Sequence, residues 1–466
     1  MSAVKGVVVI ARNGDRLECY QDPKTYKYGP TESTPFGESQ SHKLGTLLRD
    51  IYLTGGSDSK IPRISTELVN LKQVHVRVKT GSEGTAVFDS ATALLQGLFP
   101  PNTKNREQLA DGSVVVAPLG GYQYIPVETV EPYNDLSLES WTSCPSFEKH
   151  IARVYSSDEF KRKADETRHF LTKLKDFTFG RPTTLENIWN VYDYVNTQLT
   201  HNKTYAYRLP PTYVNQVRDL VNWHEDKIFS DSDMNGIGNI AGRTTMHSVL
   251  TALERISFDG DPLQVLLIET TYQPMISFFH MTEIAKNYPQ LKGLPDYASA
   301  IAIEIRAGPA PDQRDFVRVK FRNGTNTDDF ETLSVFGHRG DIPLTEFIYR
   351  LENSVIDSPY DWGKVCGNNK YGMIEEPATT PEMGIKTIGA ELARPSFDLL
   401  FGFMLAVIML FSVYTIGAFI KTRIQARKRI QLPVTAQEVQ EGSDLLPTQP
   451  HKIVVADYKS VAGRRY

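Results

Sequence analysis

Three hydrophobic periodicities follow one another along this chain, and each predicts a different kind of structure. Gly6-Val7-Val8-Val9-Ile10-Ala11 is an unbroken apolar run, the pattern of a strand buried on both faces. Thr34-Pro35 then supplies an N-cap and a proline at the first helical position, and Leu44, Leu47, Leu48 and Ile51 recur at helical spacing behind it. Val74-His75-Val76-Arg77-Val78 alternates, which predicts a strand with its three valines on one face. The next helix carries Val87, Ala91, Leu94, Leu95 and Leu98 and stops at Pro100-Pro101. This β-α-β-α order implies an α/β domain with a parallel sheet covered by helices.

From about Ser143 to Glu225 the period becomes helical throughout. Ser156-Ser157-Asp158-Glu159 and Thr183-Thr184-Leu185-Glu186 both read as capping boxes, and Ile188, Val191, Tyr192, Val195 and Leu199 mark an amphipathic face after the second. Strand patterns return at Leu263–Ile268, Ile301–Ile305 and Phe316–Phe321. The pattern therefore predicts a discontinuous α/β core, residues 1–142 and 226–370, with a helical cap inserted at 143–225. Residues 371–398, with Pro377, Pro381 and several acidic side chains, read as a stalk.

Leu399–Ile420 is the third periodicity: an apolar stretch without a charged side chain. About 20 such residues cross a bilayer as a helix, so 399–420 is read as one transmembrane helix in contact with lipid. Lys421, Arg423, Arg427, Lys428 and Arg429 follow it, against Arg394 and Lys386 before it, which places the tail 421–466 in the cytosol and the rest in the lumen or outside. Met1–Ala11 reads as a core strand rather than a signal peptide. Three routes to translocation stay open: an upstream segment, insertion directed by the membrane helix, or the opposite orientation.

Composition narrows the picture. A net charge of −4 and a pI near 6.2 argue against nucleic acid as a partner. Three cysteines, Cys19, Cys144 and Cys366, allow one disulfide, and none has metal-ligand spacing. The ten histidines are scattered, so neither a metal site nor a cofactor is expected. Asn202-Lys203-Thr204 and Asn323-Gly324-Thr325 are glycosylation sequons in the proposed ectodomain. In the tail, Leu445-Leu446 after acidic residues and Tyr458-Lys459-Ser460-Val461 fit dileucine and tyrosine sorting signals, implying sorting adaptors and an endosomal, lysosomal or vacuolar destination.

Chemistry enters at the end of the first strand. Arg12-Asn13-Gly14-Asp15-Arg16 places two arginines where both guanidinium forks can meet one phosphate. The layout resembles the Arg-His-Gly-x-Arg signature that opens the histidine phosphatases. Further segments support the histidine acid phosphatase branch in order along the chain: Thr34-Pro35-Phe36-Gly37-Glu38, Gln96–Pro101, Ser143-Cys144-Pro145-Ser146-Phe147, Ser157–Lys161, Pro343–Phe347 and Asp361-Trp362 with Cys366. The match covers roughly residues 6 to 366 and implies a phosphoglycerate-mutase-like fold. It also implies a Cys144–Cys366 disulfide.

In that family a histidine attacks phosphorus, arginines neutralise the equatorial oxygens, and an acid protonates the leaving alcohol. The resemblance maps Arg12, Arg16 and Arg77 onto the arginines. It puts Asn13 in the nucleophile's place, and an amide has no basic nitrogen. No His-Asp pair follows Leu263–Ile268, and Glu269 is the one carboxyl available there as an acid. His75 could face the same side as Arg77, but it reads more simply as an ordinary strand histidine. Three functions follow: a degenerate phosphatase that binds phosphate or a phosphomonoester, an atypical active phosphomonoesterase, or an adhesion ectodomain with no such ligand.

Overall fold

The computed structural model describes residues 3–81, 83–308 and 314–368. The stalk, the membrane segment 399–420 and the tail with Leu445, Leu446 and Tyr458 lie outside the described residues. Among the described residues no helix is long and apolar enough to cross a membrane.

The apolar run becomes β1 (Val4–Arg12), and Thr34 opens α1 (Pro35–Arg49) by accepting a hydrogen bond from the Gly37 amide at 3.1 Å. The alternating segment is β2 (Val74–Lys79), followed by α2 (Ala86–Leu98). A small hairpin, β3 (Arg106–Gln108) and β4 (Val114–Val116), precedes the short edge strand β5 (Glu128–Val130). Helices then take over: α3 (Pro145–Ser156), α4 (Asp158–Leu174), α5 (Ile188–His201), α6 (Lys203–Arg208) and α7 (Pro211–Ile228). The chain returns through α8 (Ile240–Ser257), β6 (Val265–Thr270) and α9 (Gln273–Met281). It closes with β7 (Ala300–Ala307), β8 (Asp315–Arg322), β9 (Glu331–Thr332), β10 (Ile342–Pro343), α10 (Leu344–Glu352) and α11 (Pro359–Cys366).

The sheet runs β10-β8-β7-β1-β6-β2-β5, with β9 beside β8. β1, β6, β2 and β5 are parallel, as expected from the sequence. β7, β8 and β10 are antiparallel, so the sheet is mixed rather than wholly parallel. Connection length accounts for the β7–β8 pair, since only a few residues separate Ala307 from Asp315 and a parallel neighbour needs a dozen or more; β7 lies antiparallel to β1 across a much longer connection from β6.

Alternation along β1 divides two cores. Val7 and Val9 face α1 and α2 with Leu44, Leu94, Val76 and Val78, whereas Val8 and Ile10 face α8 to α10 with Ile268 and Ile303. Each such fully buried aliphatic side chain contributes about 1.5–3 kcal/mol. A third apolar cluster joins cap and core, from Phe147 and Val191 to Tyr272 and Trp362.

Ser157, not Ser156, caps α4 by accepting from the Phe160 amide, so a side-chain cap forms one residue beyond the box read in the sequence, Ser156 being the last residue of α3. The second capping box does not form. The helix begins at Ile188, because Thr184–Ile188 is already a tight turn closed by the Asn187 side chain on the Pro182 carbonyl, 2.7 Å. Cys144, just before α3, and Cys366, at the end of α11, are disulfide-bonded across 222 residues. A loop of that size is stabilised by on the order of 5 kcal/mol in the chain-entropy account. Cys19 is free and buried, and burial pushes its thiol up to about 11.

Candidate functional site

The parallel strands β1, β6 and β2 all end on the same side, where ligands of open α/β sheets bind. Residues 12–16 leave β1 at this edge. Asn13 is fixed there by its amide on the Thr270 carbonyl, 3.1 Å, and by the Ala298 amide on its own carbonyl. The loop passes so close to the start of α1 that a Cβ on Gly14 would lie 2.1 Å from the Gly37 carbonyl oxygen. Two glycines therefore press the arginine loop onto the helix.

Most of the loop's side-chain bonds run within the loop, to α1 and to the cap, and Arg12 Nε is buried without a partner among the described residues. The Asn13 amide group donates to Gly14 O at 2.8 Å and is buried. Arg16 makes a two-pronged ion pair with Asp193 of α5, 3.0 and 2.9 Å, and also donates to Leu17 O. Asp193 in turn accepts from the Cys19 amide at 2.8 Å. Arg12 donates to the Pro295 carbonyl and lies 4.3 Å from the centre of the Tyr297 ring. Asp15 accepts from Thr34 Oγ1 at 2.6 Å and bonds His201 Nε2 at 2.7 Å.

Arg77 is not brought together with Arg12 and Arg16. Its guanidinium pairs with Asp135 and with Glu128, 3.1 Å, and donates to Ser248. It lines a separate cleft of about 450 Å³ with His75, which bonds Glu128 at 2.9 Å. The physical reason is one pleat of the strand. Lys79 is on the same side of β2 but about 6–7 Å nearer the strand's end. Fully buried, it pairs with Glu83 and with Glu139, 2.8 Å, its ammonium 5.2 Å from the Tyr28 ring.

Glu269 sits on β6 beside Ala11 and Val78, two residues short of Thr271, which reaches the crevice. It is fully buried, neither carboxyl oxygen has a hydrogen-bond partner, and desolvation raises its pKa to about 8. It is therefore protonated at neutral pH and is not among the residues that line the cavity.

What remains between Arg12, Asn13, Arg16, Glu83, Trp189 and Thr271 is a cavity of about 10 Å³. That is space for about one water molecule. Arg16 meets Asp193, and Lys79 meets Glu83 and Glu139, while Arg12 is held by the Pro295 carbonyl, so by formal count three cations sit with three carboxylates. The sequence identifies Arg12, Asn13 and Arg16 as neighbours. It passes over Lys79, although two-residue alternation puts positions 75, 77 and 79 on one face. Asp193 carries no local signal, because it comes from the cap, 177 residues away from Arg16.

Asn202 caps α6 by accepting from the Tyr205 amide, 3.1 Å, and Asn323 accepts from the Asp296 amide and Ser299 Oγ. Both are exposed at the surface.

Comparison with known proteins gives a consistent result. Residues 5–322 match the family model of the histidine phosphatase superfamily (branch 2). Human lysosomal acid phosphatase is 28% identical over 377 residues, covering 78% of this chain and 80% of the relative. Bovine prostatic acid phosphatase is 24% identical over 378 residues, covering 79% and 89%. Among solved structures, the phytase from Citrobacter braakii superimposes with a TM-score of 0.52 at 12% identity, covering 76% of this chain and 98% of that one. The Klebsiella sp. ASR1 phytase gives 0.51 at 11% identity, covering 76% and 97%.

Proposed function

This chain belongs to branch 2 of the histidine phosphatase superfamily, and we propose that it binds phosphate or a phosphomonoester without hydrolysing it. One observation carries the reading: the nucleophile's place holds Asn13, and the arginine beside it is already forked onto Asp193. An amide turned into its own loop has no lone pair of the basicity that attack on phosphorus requires. Loss of a hydrolase nucleophile costs about six orders of magnitude in turnover.

The Asp193 carboxylate occupies the Arg16 fork as an oxyanion of a phosphate would. A ligand therefore gains Arg16 by displacing Asp193, with Arg12 as the cation that needs no such exchange. An active phosphomonoesterase using Glu269 as its acid is disfavoured, because that carboxyl is buried away from the cavity lining.

The same proposal places the domain in the lumen or outside the cell, anchored by residues 399–420. Support comes from the apolar segment itself, from the acid phosphatase relatives and from a disulfide of the kind that persists in oxidising compartments. Its glycosylation would fall on Asn202 and Asn323.

Hydrolysis of a generic aryl phosphate by the full-length chain from acid to neutral pH tests the chemistry. The wild type should match a mock purification, and Asn13→His should gain little while Arg16 stays on Asp193. Turnover above the mock, abolished by Arg12→Ala, would overturn the proposal.

A further inference from the structure

A second cavity, about 210 Å³, lies on the other side of Arg12 from the crevice. Its walls come from the start of α1, from α5 and α7, and from the segments around Tyr297 and Thr325. We propose that this pocket binds one neutral sugar ring, an inference that goes beyond the phosphate reading and does not rest on it.

Charge is the first argument. Two arginines, Arg12 and Arg218, face two carboxylates, Asp15 and Asp296, so the lining sums to zero. Arg218 is committed: it pairs with Asp296 at 2.9 Å and donates to the Tyr192 hydroxyl and the Leu294 carbonyl. Asp15 is held by Thr34 and His201. A phosphate entering here would meet two carboxylates, and the remaining guanidinium, that of Arg12, already donates to the Pro295 carbonyl and lies over the Tyr297 ring.

The second argument is the rest of the lining. Asn196 and Asn326 have side-chain amides with no hydrogen-bond partner among the described residues, and Gln40 spends its oxygen on the Asp15 amide, 2.9 Å, leaving its NH₂. Planar groups that donate and accept at fixed angles suit the hydroxyls of a polyol. Phe36, half exposed, and Tyr192 and Tyr297 add aromatic surface for the C–H face of a pyranose. The cavity is smaller than the roughly 300–1,000 Å³ typical of larger ligands, so it fits a single ring.

Such a ring has two sources. A free or partner-borne sugar is one. The other is this chain's own glycan: Gly324 and Thr325 line the pocket, and the Asn323 Nδ2, the atom a glycan would occupy, has no partner among the described residues while Oδ1 holds Asp296 and Ser299.

Saturation-transfer NMR with N-acetylglucosamine and with mannose, on full-length chain made with and without N-glycosylation, tests the inference. We expect transfer to at least one sugar from the unglycosylated chain, weakened about five- to tenfold in Asn196→Ala and in the exposed Asn326→Ala. Transfer only after glycosylation is prevented assigns the pocket to the chain's own glycan. Transfer from both forms assigns it to a free or partner-borne sugar. No transfer to either sugar from the unglycosylated chain, or transfer unchanged in both variants, overturns the proposal.

Discussion

β2 carries two cations one pleat apart, and their surroundings are opposite. Lys79 is enclosed at the end of the strand between Glu83 and Glu139, in a crevice with about 10 Å³ left open. Arg77 points into a cleft of about 450 Å³, where its partners Glu128 and Asp135 are each about a third or more exposed. The same pairing chemistry thus does two jobs. Where water is excluded, the ion pairs have become part of the core and close the site proposed for a phosphate. Where water enters, they leave the space open. The closed crevice, not the larger cleft, is the phosphate site proposed above, so cavity size alone would point elsewhere.

The widest expected contrast is in stability. Lys79→Met leaves two buried carboxylates facing each other and should cost about 3–5 kcal/mol, whereas Arg77→Met, whose partners are hydrated, should cost less than about 1 kcal/mol. Urea unfolding of both variants measures the gap. Equal losses would mean that the two environments do not differ as described.

Glu269 sharpens the contrast by pH. Its folded pKa is raised to about 8 from an ordinary carboxyl value near 4.5, so the folded state holds its proton longer than the unfolded state. Stability is therefore untouched below about pH 4.5 and is lost as pH rises from there toward 8. Glu269→Gln should gain on the order of 3 kcal/mol at pH 7 and close to nothing at pH 4. A gain independent of pH would indicate that the carboxyl is not buried in its charged-disfavouring site.

Much of this was readable before the structure, for reasons that stop at the same boundary. The unbroken Val7–Ile10 run, the alternating Val74–Val78 and the Thr34-Pro35 cap are local signals, and each became the element it predicts. The mixed sheet is not legible in the pattern because alternation does not encode pairing direction, and a short connection predicts it only for β7 and β8. Arg12, Asn13 and Arg16 were found as neighbours in one loop. Arg77 matches the family's arginine by residue type, whereas the fold places Lys79, one pleat on, nearer the strand's end. Asp193 was invisible, because only packing of the cap on the core brings it to Arg16.

The smallest expected effect tests the central claim most directly: that Asp193 holds the phosphate fork shut. Asp193→Asn keeps the side chain's shape and an oxygen for the Cys19 amide while removing the charge that competes for Arg16. Calorimetric titration of inorganic phosphate into wild type and Asp193→Asn should show at least about tenfold tighter binding by the variant, a difference of about 1.4 kcal/mol. Phosphate binding equally tight in both chains would contradict the account.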